Sequence, residues 1–367
     1  MKKYKLGDFT RGWIIGDFSP SIFQTKNFEA GVKIYKKGDG GGDVHFHKEA
    51  DEFTVIASGV FKLNNDILKE GDVVWVERGE SVDFHCIEDG TVAVIKIPSV
   101  KNDKHPVADK LLEETPTDKV LNIVIPMAGR GARFKEAGYT FPKPLIEING
   151  KTMIEVVVDN LTPACKHKFI FICQKEHCDK YDIHNILKKA TNDNFEIIKI
   201  DGVTQGAVCT ILCAVQHINN ENDLLIANAD QFIEADINDF IIKARQQEKD
   251  GLIMTFYANH PKWSYASADK NGKVLEVAEK IVISNEATAG LYYFRKGSDF
   301  VKSSQAMMEK NIRYNNEFYV CPVYNEMILD DKNIYIYSIP TKQMHGLGTP
   351  EDLRAFLDKL NGGAVKI

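Results

Sequence analysis

A basic, glycine-rich loop is the first feature of this sequence that could do chemistry. The segment AGRGARF places Gly129 and Gly131 beside Arg130 and Arg133. Glycines let backbone N–H groups approach an anion closely, because no Cβ stands in the way. Ten residues beyond the loop, Lys143 lies between two prolines whose fixed φ angles restrict that segment. The loop and the lysine together suit a triphosphate.

Two familiar phosphate-binding motifs do not describe this loop. A dinucleotide fingerprint, Gly-x-Gly-x-x-Gly, would require a glycine at Phe134. A Walker loop would require Gly-Lys-Ser/Thr, which does not follow. An ordinary tight turn after a strand is the simpler alternative.

Apolar strands alternate with segments of helical period after Val120. The strand-like runs are LNIVIP, HKFIFICQ, FEIIKID and DLLIANAD, and the helix-like runs between them are TMIEVVVDNLTPA, DIHNILKKAT and GAVCTILCAVQHI. This alternation predicts an α/β domain with a mostly parallel sheet covered on both faces. Ligands bind such sheets at the carboxyl ends of the strands, where the glycine loop falls.

The chain before this domain has a different pattern. From Phe23 to Pro98, short runs such as GVKIY, DVVWVE and VAVIKI are separated by glycine, asparagine and aspartate, which predicts an antiparallel sandwich or barrel. The length of 367 residues also favours two domains. We predict an all-β domain over 1–98, a charged linker with one short helix over 99–119, and the α/β domain over 120–367.

Five segments of the second domain resemble one enzyme family. Gly-x-Gly-x-Arg, followed by the lysine of FPKPLIEINGKTMIE, resembles the signature of the sugar-phosphate nucleotidyltransferases, the nucleotide-sugar pyrophosphorylases. Four more segments are similar to that family in the same order: GVTQGAVCTILCA, LLIANADQFIE, GKVLEVAEKIVISNEATAGLYYF and GLGTPEDLRAF. The resemblance covers roughly 120–360 and implies a Rossmann-like (GT-A-like) fold.

The resemblance implies a reaction in which an acceptor phosphate attacks the α-phosphorus of a nucleoside triphosphate and pyrophosphate leaves. Both reactants are anions, so such catalysis needs positioning and neutralisation of charge rather than a covalent nucleophile. By this resemblance Arg133 holds the β- and γ-phosphates and Lys143 neutralises charge near the reacting phosphates. Asp230 would anchor Mg²⁺, and Lys280 would hold the incoming phosphate.

The family resemblance also implies further contacts around these groups. The implied nucleotide-binding residues are Met127, Ala128, Gly129, Arg130, Gly131, Arg133, Lys143, Gln205, Gly206 and Asp230. The implied acceptor-binding residues are Glu279, Lys280, Thr288 and Gly290. Simpler roles stay open: both lysines as surface groups, Asp230 or Gln205 as a cap, and Glu279 as the partner of a neighbouring cation.

One position departs from the family pattern. Sugar 1-phosphate members carry a second metal-binding aspartate two residues before the closing Gly-Thr-Pro, and this chain has Gly346 there. The ligand is either missing or replaced by His345, Glu351 or Asp352. The glycine favours another acceptor, such as a polyol phosphate or a non-anomeric sugar phosphate. Cytidylyltransferases of surface-polysaccharide pathways use acceptors of this kind, which favours CTP over UTP or dTTP.

A histidine pair in the first domain resembles the first motif of the cupins, small β-barrels that often hold a divalent metal. In GGDVHFHKEADEFTVIASG, His45 and His47 would point to one face of a strand, with Glu52 across the hairpin. The second motif is degraded, since Val82 stands where the fourth ligand is expected and His85 has the opposite parity. A three-ligand site for a divalent transition metal and a barrel without metal both stay open.

Composition restricts the remaining classes of function. A net charge of −6 does not favour a nucleic-acid partner, and no apolar run is long enough for a membrane span or a signal peptide. Seven scattered cysteines fit reduced thiols in the cytoplasm better than a disulfide framework.

These patterns favour an Mg²⁺-dependent nucleotidyltransferase that makes a nucleotide-linked sugar or polyol for capsule or lipopolysaccharide. Two rivals are a non-catalytic nucleotide sensor and a cupin metalloenzyme with an accessory transferase half. The first domain would serve as an assembly or binding module, for example as the contact of a homodimer.

Overall fold

The chain folds into two compact units, Met1–Glu114 and Thr115–Ile367. The computed structural model describes residues 1–40, 44–64, 66–107, 119–245, 249–365 and 367. No helix within these ranges is both long enough and apolar enough to cross a membrane.

The first unit continues past the boundary at 98 that the sequence suggests. The carboxylate of Asp103 accepts hydrogen bonds from the backbone N–H groups of Lys48, Glu49 and Ala50, which ties the start of the predicted linker to this unit. The rest of the predicted linker, 108–118, with its predicted short helix, lies outside the described residues.

Antiparallel strands build the first unit. They are β1 (Trp13–Ile15), β2 (Glu29–Tyr35), β3 (His45–Phe46), β4 (Asp51–Leu63), β5 (Asp66–Lys69), β6 (Val73–Val76), β7 (Phe84–Ile97) and β8 (His105–Pro106). The main sheet has the order β1-β2-β7-β4-β5, with β6 also on β4, and β3 pairs with β8. Within the described residues the edge strands do not pair with each other, so the sheet is open. The closed cupin-like barrel predicted for this region is not what these strands form.

The second unit alternates strands with helices. Its strands are β9 (Leu121–Pro126), β10 (Glu147–Ile148), β11 (Lys151–Thr152), β12 (His167–Gln174), β13 (Phe195–Ile200), β14 (Asp223–Ala227), β15 (Gln231–Ile233), β16 (Gly251–Tyr257), β17 (Ser264–Ala268), β18 (Val274–Glu279), β19 (Glu286–Phe294), β20 (Ile334–Ile339) and β21 (Met344–Gly346). Its helices are α1 (Ala132–Glu136), α2 (Met153–Leu161), α3 (Lys175–Lys180), α4 (Ile183–Ala190), α5 (Ala207–Leu212), α6 (Val215–Ile218), α7 (Ile237–Arg245), α8 (Gly297–Glu309), α9 (Val323–Leu329) and α10 (Pro350–Asn361).

The large sheet of this unit is mixed, and most of the strands in its main path are parallel, as the sequence predicts. Its order is β13-β12-β9-β14-β19-β16-β20. The pairs β13/β12, β12/β9, β9/β14 and β16/β20 are parallel, but β19 runs antiparallel to both of its neighbours. The hairpin of β17 and β18 precedes β19 and extends the sheet through antiparallel pairs. Periodicity could not reveal this reversal, because buried strands read alike in either direction.

Local chemistry explains why the first crossover is helical where the sequence predicts it. The hydroxyl of Thr152 accepts from the backbone N–H of Glu155, whose carboxylate accepts from the backbone N–H of Thr152 at 2.7 Å. This capping box satisfies two backbone donors that a helix start leaves free. The run of valines that follows is buried, which fixes α2 against the rest of the unit.

Candidate functional site

Three adjacent parallel strands, β12, β9 and β14, end at the same edge of the sheet. The glycine loop follows β9, Gln174 closes β12, and Asp230 lies three residues after β14. Candidate functional residues that are distant in the chain therefore lie together at one edge of the sheet, as expected for a ligand site of an α/β sheet.

The glycine loop is anchored at its base and exposed at its tip. Met127 and Ala128 are buried, whereas Arg130 and Arg133 are exposed. The side-chain amide of Gln174 donates to the carbonyl of Ala128 at 2.7 Å and so holds the base of the loop. Sequence reasoning missed Gln174, whose only signal was its place at the end of a buried strand.

Glycine has a conformational reason at one position of the loop. Gly131, which directly precedes α1, has φ +61. This value lies in the left-handed backbone region, which other residues seldom adopt. A Cβ added at Gly129 would meet no atom within 4 Å, so there is open space above the loop. The tip therefore offers room and backbone N–H groups for an anion.

Lys143 and Asp230 form an ion pair at this edge. The Nζ of Lys143 lies 2.7 Å from Oδ2 of Asp230, and each side chain is about a quarter exposed. Lys143 begins a 3-10 turn directly after Pro142, which fixes its backbone direction. The pair brings together the two residues for which the family resemblance implies phosphate and Mg²⁺ contacts. Both are accessible to a ligand.

A tight turn over residues 311–319, here called the 311–319 turn, is pressed against Gln205 and Gly206. The backbone N–H of Phe318 donates to the carbonyl of Gln205 at 2.8 Å, and the carbonyl of Phe318 accepts from the N–H of Val208 at 3.1 Å. A Cβ on Gly206, which has φ +113, would lie 2.5 Å from that N and 2.6 Å from that O. Gly206 is thus required by close backbone packing as well as by any role beneath a base.

The same turn fixes the side chain of Gln205. Nη1 of Arg313 donates to Oε1 of Gln205 at 2.9 Å, and its guanidinium lies 4.1 Å from the centre of the Phe318 ring. With its oxygen engaged by Arg313, the amide of Gln205 has no partner for its Nε2 among the described residues, so this donor can serve a ligand. Sequence reasoning missed Arg313, which no motif marked.

Lys280 is surrounded by two tyrosines and a carboxylate. Its Nζ donates to the hydroxyl of Tyr319 at 2.9 Å and lies 4.4 Å and 5.2 Å from the ring centres of Tyr319 and Tyr314. It is also 4.0 Å from Oε1 of Glu279. Both tyrosines belong to the 311–319 turn, which therefore contacts the implied nucleotide side and the implied acceptor side at once.

Glu279 is buried, and a hydrogen-bond chain links it to Thr288. Its carboxylate accepts from the hydroxyl of Ser264, which in turn contacts Tyr292, and the Tyr292 hydroxyl lies 2.8 Å from that of Thr288. Burial raises the pKa of the Glu279 carboxyl above its ordinary value, although the Ser264 bond and Lys280 oppose that change. Thr288 is engaged inside this network rather than open to a ligand.

Gly290 lies beside the end of β14. Its φ is +75, its carbonyl accepts from the N–H of Asn228, and a Cβ there would overlap the side-chain amides of Asn228 and Gln231. This contact brings the implied acceptor segment next to the segment that carries Asp230.

The residues that could replace the missing aspartate at Gly346 all have other partners. Gly346 lies opposite Gln231 in the β15/β21 pair. His345 is buried, and its Nε2 lies 2.6 Å from Oε1 of Glu234. Glu351 pairs with Arg354, and Asp352 belongs to the cap of α10 with Thr349. Of the carboxylates considered for a metal, Asp230 is the one paired with the lysine beside the phosphate loop.

The predicted cupin metal site in the first unit is not supported. His45 and His47 do lie close, with ring centres 5.6 Å apart. However, Nε2 of His47 is 3.1 Å from Glu52, and its Nδ1 contacts the carbonyl of Asp103. No group of three or more His, Cys, Asp or Glu in the described ranges is arranged to hold a metal. These contacts instead connect β3, β4 and the segment before β8.

The fold and the residues at this edge indicate the class of protein. The second unit is an α/β domain with a mixed sheet, and a glycine-rich loop suited to phosphate lies at the carboxyl ends of its parallel strands. The nucleotidyl transferase family model matches residues 123–341. The chain belongs to that family, and the resemblance seen in the sequence is confirmed.

Individual relatives agree with the family assignment. Two curated relatives are the bifunctional proteins GlmU of Methanococcus aeolicus, 22% identical over 177 residues, and Methanocaldococcus jannaschii, 25% identical over 179 residues. These alignments cover 47% and 48% of this chain and 40% of each relative, so the chain spans under half the length of the curated relatives it matches. A nucleoside-diphosphate-sugar pyrophosphorylase from Vibrio cholerae RC9 superimposes with a TM-score of 0.55 at 28% identity, covering 64% of this chain and 99% of that one.

Proposed function

We propose that this protein condenses a nucleoside triphosphate with a sugar phosphate or polyol phosphate, giving an NDP-linked product and pyrophosphate. One observation carries the proposal: Lys143 and Asp230 meet at 2.7 Å beside the glycine loop, in a chain of the nucleotidyl transferase family. A lysine and a carboxylate at that edge are the two groups a triphosphate and its Mg²⁺ require.

In the proposed reaction an oxygen of the acceptor phosphate forms a bond to the α-phosphorus, and the bond from that phosphorus to the bridging oxygen of pyrophosphate breaks. The exposed Arg133 holds the β- and γ-phosphates, and Lys143 leaves Asp230 to neutralise charge at the reacting phosphates. Lys280 leaves Tyr319 to hold the acceptor phosphate. An acceptor phosphate is ionised at neutral pH, so no side-chain base is needed.

The residues present fit Mg²⁺ as the resident ion. Magnesium is held in such sites by one or two carboxylates, and phosphates and waters supply its other ligands. Asp230 offers one accessible carboxylate at the strand edge. When bound there, the ion would reduce the negative charge of the triphosphate.

Gly346 supports a choice among acceptors and nucleotides. A glycine where a second carboxylate is expected favours a polyol phosphate or a non-anomeric sugar phosphate over a sugar 1-phosphate. Acceptors of this kind are the ones that cytidylyltransferases of surface-polysaccharide pathways use. We therefore propose CTP ahead of UTP and dTTP, with the product used for a surface polysaccharide. The similarity to the Vibrio cholerae nucleoside-diphosphate-sugar pyrophosphorylase supports a nucleotide-linked product of this general kind.

A matrix of substrates tests the proposal directly. The purified full chain is incubated with Mg²⁺, each of CTP, UTP, dTTP, ATP and GTP, and a panel of sugar and polyol phosphates, and pyrophosphate release is measured. We expect release with one pyrimidine triphosphate and a narrow set of acceptors. Binding of a nucleotide without release from any pair in the panel would contradict the proposal and favour the nucleotide sensor.

A further inference from the structure

Four strands of the first unit, β2, β7, β4 and β6, present an apolar face to solvent. Cross-strand rows run through it: Ala30, Ile95, Phe53 and Trp75 form one row, and Val32, Ala93, Val55 and Val73 form the next. We call the surface formed by these eight residues with Ile34 and Ile97 the outer face.

The outer face is unusually exposed for apolar residues. Ile34 is 67% exposed, Val73 65%, Trp75 56%, Ile97 49% and Ile95 38%. Phe53 stacks on Trp75 with ring centres 5.7 Å apart, which makes a continuous flat surface.

The opposite face of the same strands carries charged side chains among its buried apolar ones. Lys96 lies 3.8 Å from both Glu29 and Glu52 on that inner side, and Lys33 lies over the ring of Trp13. An antiparallel sheet that faces water normally turns its polar side chains outward. The inner side also holds the buried core residues Ile56, Val92 and Val94, so these strands are apolar on both sides and the outer face lacks the polar side chains that such a sheet turns to water.

The area involved is at the upper end of what a monomer leaves open. With apolar side chains of this size, the exposed fractions amount to on the order of 600 Å², and the largest apolar patch of a typical monomer is about 300–600 Å². A stable interface needs about 800 Å² from each partner, which this surface and its rim can supply.

From this exposed apolar face we infer that the outer face is the contact surface between two copies of this chain. The two rows hold no charged side chain, so nothing in them would select a partner of opposite charge over a second copy of this chain. Flat sheet faces pack on one another at about 10 Å separation. A twofold arrangement covers both copies of the face at once and leaves no open end for further assembly.

The mass of the full chain in solution tests this inference. We expect light scattering and sedimentation to give twice the 41.3 kDa of one chain. Replacing two exposed residues of the face, Ile34→Lys with Trp75→Lys, should raise the dissociation constant by about 100-fold or more. Leu275→Lys is the matched control, because Leu275 is a 60% exposed apolar residue of the second unit, and it should leave the mass unchanged.

A second measurement covers the case in which the double variant does not fold, as judged by circular dichroism. Iodide quenching of Trp75, taken as the difference between the wild type and Trp75→Phe, should be weak because the ring is covered in the dimer. A monomeric wild type, a double variant that remains dimeric, or a dimer in which iodide quenches Trp75 strongly would each overturn the inference.

Discussion

At the scale of single residues, Lys143 and Asp230 neutralise each other in this structure. The ion pair contributes little to the free energy of unfolding, because both side chains are about a quarter exposed and screened by water. In the proposed function the pair matters for its position, because a triphosphate and its ion would take over the two charges at the site.

Replacing Lys143 tests this role. Lys143→Gln keeps the polarity of the side chain but removes the charge, so we expect kcat/KM for the triphosphate to fall by about 100- to 1000-fold. The free energy of unfolding should change by less than about 1 kcal/mol.

The matched control for that variant is Lys151→Gln. Lys151 pairs with Asp159 at 2.8 Å on the surface, so the Lys151→Gln variant loses a comparable ion pair away from the loop. A Lys143→Gln enzyme whose kcat/KM stays within a few-fold of the Lys151→Gln enzyme would contradict the assigned role.

Glu279→Gln separates stability from function. Because burial raises the pKa of Glu279, folding favours its protonated form, and ionisation costs stability as the pH rises through the folded-state pKa. We expect the variant to be more stable than the wild type at neutral pH and the difference to vanish below the ordinary carboxyl pKa of 4.5. Its kcat/KM for the acceptor should fall about tenfold or more.

Urea unfolding from pH 4 to pH 8, with acceptor kinetics at neutral pH, measures both effects. Glu276→Gln is the control, since Glu276 is exposed on the same strand and should change neither quantity. A Glu279→Gln protein that is less stable than the wild type at neutral pH would show that the ionised carboxylate stabilises the fold.

At the scale of elements, the 311–319 turn connects the two sides of the candidate site. Phe318 caps the start of α5 through the N–H of Val208, and Tyr314 and Tyr319 surround Lys280. A change at one side can therefore reach the other through this one short segment.

Gly206→Ala tests how tightly that segment is packed. The added Cβ meets the backbone N and O of Phe318 in a positive-φ conformation, so we expect a loss of about 3 kcal/mol or more in the free energy of unfolding. Gly202→Ala is the control for conformation alone, since Gly202 has φ +70 and open space around its Cβ, and it should cost about 1 kcal/mol.

Urea midpoints of the two variants give the comparison. Equal losses would mean that the positive φ, and not the approach of Phe318, explains the glycine at 206.

At the scale of the whole molecule, each unit has its own buried core. Phe61 is fully buried in the first unit among Ile56, Cys86 and Val92, and Phe294 is fully buried in the second, with its ring stacked 4.6 Å from that of Tyr324. Separate cores predict separate unfolding.

Phe61→Ala and Phe294→Ala test this separation as a matched pair. Each removes a buried ring at a cost of about 3–5 kcal/mol. By differential scanning calorimetry we expect two transitions. Phe61→Ala should lower the midpoint temperature of one transition, and Phe294→Ala should lower that of the other. A single transition that both variants lower equally would show that the units unfold together.

Sequence alone determined the features that depend on neighbours in the chain. Periodicity identified the strands and helices after Val120, and the glycine loop with Lys143 pointed to the family that the family model then confirmed. The capping box at Thr152 and the buried runs of the parallel strands are local signals of this kind.

Only the tertiary structure decided the features that join distant segments. It placed Lys143 against Asp230, 87 positions apart, brought Arg313 to Gln205, and reversed β19 within the sheet. It also left the first sheet open where a cupin-like barrel was predicted and left the apolar residues of its outer face exposed. Local patterns could not encode these outcomes, because strand order, register and the choice of buried face depend on which segments pack together.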